Sequence, residues 1–414
     1  MHHKGVSAAV TAVTTAALLV SCSPTSRGGG KISDGGIKLG VLTDMSGVYS
    51  SRVGKKSVAA VQMAIDDFKA KYGDKAVTGN ISLVSGDHQN KPEVASTQAR
   101  EMYERQRVDA IFDVPTSSAA LAVATLAQQT KRLHFNTAAA TQDLTGKACN
   151  RYTYAWAFDA YMIAKGTGGT VTQRGGKDWY LLYPDYVFGQ GMQTLFSSMI
   201  KGANGNVIAS DPTPFPGSDY STFLLKAANS KPRPDVLGAL QAGDDLVNLV
   251  KQYNQYGLRD KGIQLAVGLL AEEDIKAIGS KSLQGTVFTT AWFWNLDDES
   301  RAFAKKFKAK TGELPNFLTA ANYSAATQYL EAVQRTGTDD SDTVVKALDG
   351  RTFSDAFARN AEIRAADHRV THDAYLASVK APGEVTNPDD LTKLVTTIPA
   401  DEAFEPASPE CDLT

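Results

Sequence analysis

RVDAIFDVPTSSAALAVATLAQQTKRLHFNTAAATQDLTG, residues 107–146, carries two short apolar runs, DAIFDV (109–114) and RLHFN (132–136). Each opens into a turn of small and hydroxyl residues, PTSSAA (115–120) and TAAATQDLTG (137–146). Between them AALAVATLAQQTK is apolar every three to four residues, a helix entered through Thr116, Ser117 and Ser118. Strand, hydroxyl turn, helix, strand, hydroxyl turn is the layout of an open α/β sheet with a site at its carboxyl edge. Free N–H groups at a helix start, with hydroxyls beside them, suit a carboxylate or another small anion. No nucleophile–base pair, metal cluster or phosphate loop accompanies the turns, so the pattern reads as a place where something is held.

The same alternation extends both ways. IKLGVLTDMSG (37–47) is a strand with a small-residue turn, and Val58, Val61, Ala64, Ile65 and Phe68 share one face of a helix that stops at Gly73. NISLVSGD (80–87) is a second strand, and the helix of residues 92–106 starts at Pro92. Alternating strands and helices call for a parallel sheet covered on both faces. The pattern restarts with DWYLLYPD (178–185), FGQGMQTLFSSMIKG (188–202), NVIASDPTPF, RPDVLGAL (233–240), IQLAVGLL (263–270) and TVFTTAWFW (286–294). Two helices follow, 299–312 and 318–337, each closed by glycine, then a polar–apolar alternation through Glu384 that reads as a hairpin. The last 25 residues are Pro- and acid-rich and read as a surface wrap.

A chain of 414 residues has room for two such α/β sets. With 43% hydrophobic and 21% charged residues it is neither disordered nor membrane-embedded, and a formal charge of −2 gives no reason to expect nucleic acid. Residues 1–21 read as an export signal: a basic start, then an uncharged run from Val6 to Val20, shorter than the roughly 20 residues of a spanning helix. Leu19-Val20-Ser21-Cys22 resembles a bacterial lipobox, in which Cys22 is lipidated; the competing reading is an ordinary signal peptide with an incidental cysteine. Residues 22–36 then form a Gly/Ser-rich tether. In an exported chain Cys149 and Cys411 are expected to bridge and pin the tail of residues 399–414, two free thiols being the alternative.

The order IKLGVLTDMSG, FDVPTSSAALAVATLA, AAATQDLTG, LLYPDYVFGQGM resembles the periplasmic type I solute-binding proteins, and within them the leucine/isoleucine/valine-binding branch that serves ABC importers. The resemblance runs from about residue 37 to 337 and more loosely to 380. It implies two doubly wound α/β lobes with parallel sheets, joined by a three-crossover hinge that closes on ligand. Lobe one is expected at 37–157 plus 289–350, and lobe two at 158–288 plus 351–398. It implies further a monomer, lipid-anchored outside the cell membrane, that hands a small carboxylate-bearing ligand to an ABC permease and needs no cofactor or metal.

Carried over residue by residue, the resemblance assigns the ligand carboxylate to Thr116, Ser117 and Ser118, and the next turn's contacts to Ala139 and Thr141, with Ala138 or Ala140 one step away in register. The second-lobe aromatic falls on Phe188, with Tyr186 close by. Helix capping competes for the hydroxyls, and plain core packing for Phe188. Where amino-acid binders of the branch carry an ammonium-binding carboxylate, this chain has Leu270, with Glu272 and Glu273 near; where they carry a tyrosine, it has Gln241. Asp244 and Asp245 sit where they would cap a helix. Trp292 and Trp294 share one strand face and are expected to wall the cleft, unless they pack the hinge. Arg52, after the first strand, is a further candidate for the carboxylate, and Asp159 and Tyr161 lie at the first expected crossover. Aromatic walls with no ammonium partner favour an aromatic acid or hydrophobic amino acid.

Two rivals remain. An enzyme lacks support: Gly189-Gln190-Gly191 misses a third glycine, no nucleophile-elbow or zinc motif occurs, and His368 and His372 on a strand stand about 13 Å apart. A sensor module signalling to a membrane partner would have the same fold and cleft.

Overall fold

The computed structural model describes residues 1–3, 5 and 32–413. The export segment and Cys22 lie outside the described residues.

Lobe one is built on a parallel sheet ordered β2-β1-β3-β4-β5, formed by β1 (Ile37–Thr43), β2 (Ile81–Asp87), β3 (Ala110–Asp113), β4 (Leu133–Asn136) and β5 (Thr153–Ala155). β3 and β4 are buried along their whole length, because helices cover both faces. The Lys55–Tyr72 helix turns Val61, Ala64, Ile65 and Phe68 into the core, as its periodicity predicts, and ends at Gly73. It packs along Phe317–Thr336, a later helix that returns to this lobe.

Lobe two repeats the scheme with a parallel sheet ordered β7-β6-β8-β9: β6 (Asp178–Pro184), β7 (Asn206–Thr213), β8 (Val236–Ala239) and β9 (Gln264–Val267). Beside it β10 (Val287–Thr290) ends four residues before the expected strand end at Trp294. The expected hairpin is divided between two sheets. β11 (Thr352–Phe353), β12 (Ala361–Ile363) and β13 (Val370–Thr371) pair antiparallel, and Ala155 bridges Arg369, so they stand beside β5 of lobe one. β14 (Ala374–Val379) instead pairs antiparallel with β10 and with β15 (Thr392–Ile398). The expected surface wrap is thus partly strand.

The chain leaves one sheet for another after β5, after β10 and after β13. These passages are tied together: Arg369 pairs with Asp159 at 3.2 Å and donates to the Phe158 carbonyl, while His372 Nε2 lies 2.8 Å from the Ala157 carbonyl. Both His368 and His372 are buried. Cys149 and Cys411 form a disulfide, which holds the tail against lobe one.

Candidate functional site

The carboxyl ends of β3 and β4 face lobe two across a narrow cavity of about 20 Å³, and the residues that line it come from both sides. Asp113 and Val114, at the end of β3, have φ of +83° and +57°, an unfavourable conformation for a β-branched residue. This kink, followed by Pro115, delivers the N-terminus of the Ser117–Thr130 helix to the cavity. Thr116 occupies the capping position, yet its hydroxyl bonds Asn90 Oδ1 and caps nothing. The first N–H groups of that helix are therefore left without a side-chain cap. Ser117 lines the cavity, and its hydroxyl carries no hydrogen bond among the described residues.

From the β4 turn, Ala138 and Ala140 line the wall. Ala139, the expected contact, has both backbone groups engaged by the Asn136 side chain, at 3.0 and 2.8 Å. Arg52 enters from the loop after β1 and is buried, not at the surface. Its Nε donates to Asp274 Oδ1 at 3.1 Å, and its Nη2 pairs with Asp274 Oδ2 and reaches the Leu269 carbonyl. Asp274 belongs to lobe two, so this ion pair spans the cleft. Burial raises its carboxyl to about 6 in spite of Arg52.

The remaining wall is apolar and aromatic: Tyr49, Pro115, Phe158 and Leu318 on one side, Tyr186, Phe188, Ala242 and Leu269 on the other. Tyr49 and Tyr186 touch hydroxyl to hydroxyl at 2.5 Å across the lobes, and burial pushes both phenols up, so both keep their protons. Tyr186 stacks on Phe215 with ring centroids 4.1 Å apart. The glycine at 189 has a packing reason: a Cβ there would stand 1.9 Å from the Pro184 carbonyl, so only glycine lets the helix behind Phe188 sit this close to β6. Among the described residues no carboxylate side chain lines this cavity.

The two-lobed α/β body matches known proteins. Residues 36–384 match the periplasmic binding protein family. The chain belongs to the type I periplasmic binding proteins. A periplasmic binding protein from Burkholderia mallei is 37% identical to it, with 90% of this chain and 96% of that one covered and a TM-score of 0.85. A branched chain amino acid ABC transporter periplasmic ligand-binding protein from Burkholderia xenovorans LB400 is 36% identical, covering 90% and 99%, with a TM-score of 0.80. A solute-binding protein of an ABC transporter from Rhodopseudomonas palustris BisB5, in complex with 3,4-dihydroxy benzoic acid, shares the fold at 21% identity over 89% and 98%, with a TM-score of 0.78. The family is one of solute binding and transport.

Several residues expected at the site of this binding protein stand elsewhere. Ser118 is half-buried outside the cavity wall, and Thr141 accepts from the Asp143 N–H to cap a short turn. Gln241 is buried and donates to Thr213 Oγ1 at 3.1 Å, while its neighbour Ala242 meets the cavity. Leu270 packs in the lobe-two core and Leu269 takes the wall. The tryptophans do not wall the cleft: Trp292 is buried edge-on to Phe303 and donates to the Ala356 carbonyl, and Trp294 donates to the Asp389 carbonyl. They turn away because the strand stops at Thr290, which ends the alternation that put both on one face.

Three of the acidic candidates are also committed. Asp245 accepts the Gly217 N–H, Glu273 pairs with Lys56 at 2.5 Å, and Asp159 caps the Met162 N–H. Tyr49, Phe158 and Leu318 were missed by sequence reasoning. Tyr49 had a signal, since it lies in the turn that supplies Arg52.

Proposed function

We propose that this protein is the extracytoplasmic binding component of an ABC importer, closing over a small monocarboxylate with an apolar or aromatic body. The observation that supports it most is the composition of the wall: Arg52 and the uncapped helix start at Ser117 offer positive potential at one end, and aromatic and aliphatic side chains form the rest. An amino-acid ammonium has no carboxylate to meet there, which favours an aromatic or branched acid over a zwitterion. The dihydroxybenzoate complex of the structural neighbour agrees with that class. We place the lobes at 37–157 plus 291–371 and at 158–290 plus 374–398, following the strand pairing.

The export signal and lipid anchor at Cys22 belong to this proposal, as do the monomeric state, the permease partner and the lack of catalysis. No helix among the described residues is long and apolar enough to cross a membrane. Calorimetric titration of the purified chain with benzoate, 4-hydroxybenzoate, phenylacetate, leucine and phenylalanine tests the ligand class. Micromolar or tighter binding of the acids, with weaker binding of the amino acids, is expected. A preference for sugars or for zwitterions overturns it.

A further inference from the structure

We propose that Asp274 is a positioning residue for the ligand carboxylate: from lobe two it orients the Arg52 guanidinium of lobe one, so the carboxylate is recognised only once the lobes have closed. The inference rests on the proposal that the cavity takes a carboxylate.

Both partners are held by their own lobes. The Asp274 carboxylate accepts the Ala271 N–H at 2.7 Å at the start of the Glu272–Ile278 helix, which fixes its direction. The Arg52 backbone is fixed in lobe one, donating to the Tyr49 carbonyl at 2.9 Å and accepting from Asn316 Nδ2 at 2.8 Å. Only the flexible arginine side chain crosses the gap, where both charged groups are almost fully buried, at 1% and 2% exposure. Asp274 takes Nε and Nη2, while Nη1 carries no hydrogen bond among the described residues, on a residue that forms the cavity wall.

The planar guanidinium donates in fixed directions, so engaging one edge dictates where the remaining nitrogen points. Ser117, whose hydroxyl has no partner among the described residues, lies on the same cavity. A carboxylate accepting from both completes a chain of ligand, Arg52 and Asp274 that runs through both lobes. When the cleft opens, Asp274 departs with lobe two and Arg52 regains its rotamers. Anion recognition and closure are then one event.

A latch that merely favours closure would help every ligand equally. A positioning residue helps only the carboxylate, and the two are separable. In Asp274→Asn the side chain still accepts the Ala271 N–H and fills the same volume. We expect benzoate binding, measured calorimetrically, to weaken tenfold or more, while the neutral isostere benzamide changes less than twofold.

The pH profile gives a second readout. The groups facing Asp274 are Arg52 across the cleft, Glu272 and Glu273 on its own helix, and Lys56, which Glu273 and Glu313 hold. Glu272 is pushed up to about 8 by burial and so titrates in a higher window. Asp274 must be ionised to orient Arg52. The wild-type preference for benzoate over benzamide, in which the protonation of closure itself cancels, should therefore hold above pH 6 and shrink as the pH drops through it, and that of Asp274→Asn should be flat from pH 5 to 7. Equal losses for the two probes, an unchanged benzoate affinity, or the same pH profile in both proteins overturns the inference and leaves the proposed ligand class standing. A wild type that binds no carboxylate overturns both.

Discussion

Ser117 and Ser118 are neighbours in one motif, yet only the first faces the cavity, and a substitution at each separates their roles. Ser117→Asp puts a negative charge where a ligand carboxylate would sit. The same aspartate is favourable for the helix, because acids stabilise a first turn. We expect benzoate affinity to drop more than a hundredfold with the melting temperature unchanged or raised, whereas Ser118→Ala alters affinity less than twofold. Equal effects at the two positions would mean that the cavity wall is wrongly placed.

A second residue-level consequence concerns His134 on β4. It is fully buried, burial drives its pKa down to about 3, and neither ring nitrogen has a partner among the described residues. It therefore stays neutral in the folded chain and takes up a proton on unfolding below its ordinary value of 6.5. Its contribution is complete above that pH and is lost as the pH falls toward 3, at about 1.4 kcal/mol per unit. His88, lowered to about 4 by burial in spite of the neighbouring Asp44 and Asp87 carboxylates, adds a similar slope. Urea titrations between pH 7 and pH 4.5 should show a shallower loss in His134→Leu than in the wild type, with the His88 slope remaining. Parallel curves would refute the assignment.

Among the connecting elements, the loop after β8 brings the backbones of the two lobes into contact. Gly243 has φ of +64°, and a Cβ there would stand 2.4 Å from the Val48 carbonyl of lobe one. The Asp244 N–H donates to that same carbonyl at 3.3 Å. Gly243→Ala therefore strains the loop and wedges the cleft at once. Expected is a tenfold or greater loss of benzoate affinity, together with a larger radius of gyration in X-ray scattering of the liganded protein. Closure to wild-type dimensions would contradict this.

The tail is an element made by covalent chemistry. Its Phe404 packs on the Arg369 guanidinium and edge-on to His372, covering one lobe crossing, and the Cys149–Cys411 bridge keeps it there. Cysteine count and an exported setting made that bridge legible in the sequence. The parallel sheets and the Lys55–Tyr72 helix were legible too, because each follows from a period in the apolar residues. Strand partners in the last quarter were not, since β13 and β14 are separated by only two residues and join different lobes. The tryptophans misled for a related reason: alternation holds only while the backbone stays extended. At the site, the sequence pointed to the turns, but which residue of PTSSAA or TAAATQ faces the cavity depends on a positive-φ kink and on the Asn136 side chain. Neither has a periodic signature. Reducing the disulfide should lower the melting temperature by several degrees, with an upper bound of roughly 5 kcal/mol for so long a loop; an unchanged transition would show that the tail holds by packing alone.

For the molecule as a whole, binding and closure should be one equilibrium. Contacts that link the lobes without lining the cavity, such as the Lys56–Glu273 pair at the rim, ought then to affect affinity for a ligand they never touch. Lys56→Glu places a third carboxylate beside Glu273 and Glu313, which Lys56 now holds at 2.5 and 3.2 Å. Repulsion penalises the closed arrangement and is relieved when the lobes part. Because apparent affinity scales with the closed fraction available, benzoate should bind about tenfold more weakly. At saturation the scattering profile should nonetheless equal that of the liganded wild type, since the final state is unchanged and only the concentration needed to reach it rises. The deficit should shrink as salt screens the rim charges, whereas the deeply buried Arg52–Asp274 pair is shielded from that effect. If Lys56→Glu bound as tightly as the wild type, the rim contacts would have no part in closure. The two lobes would then be held together by the three crossings and the cavity wall alone.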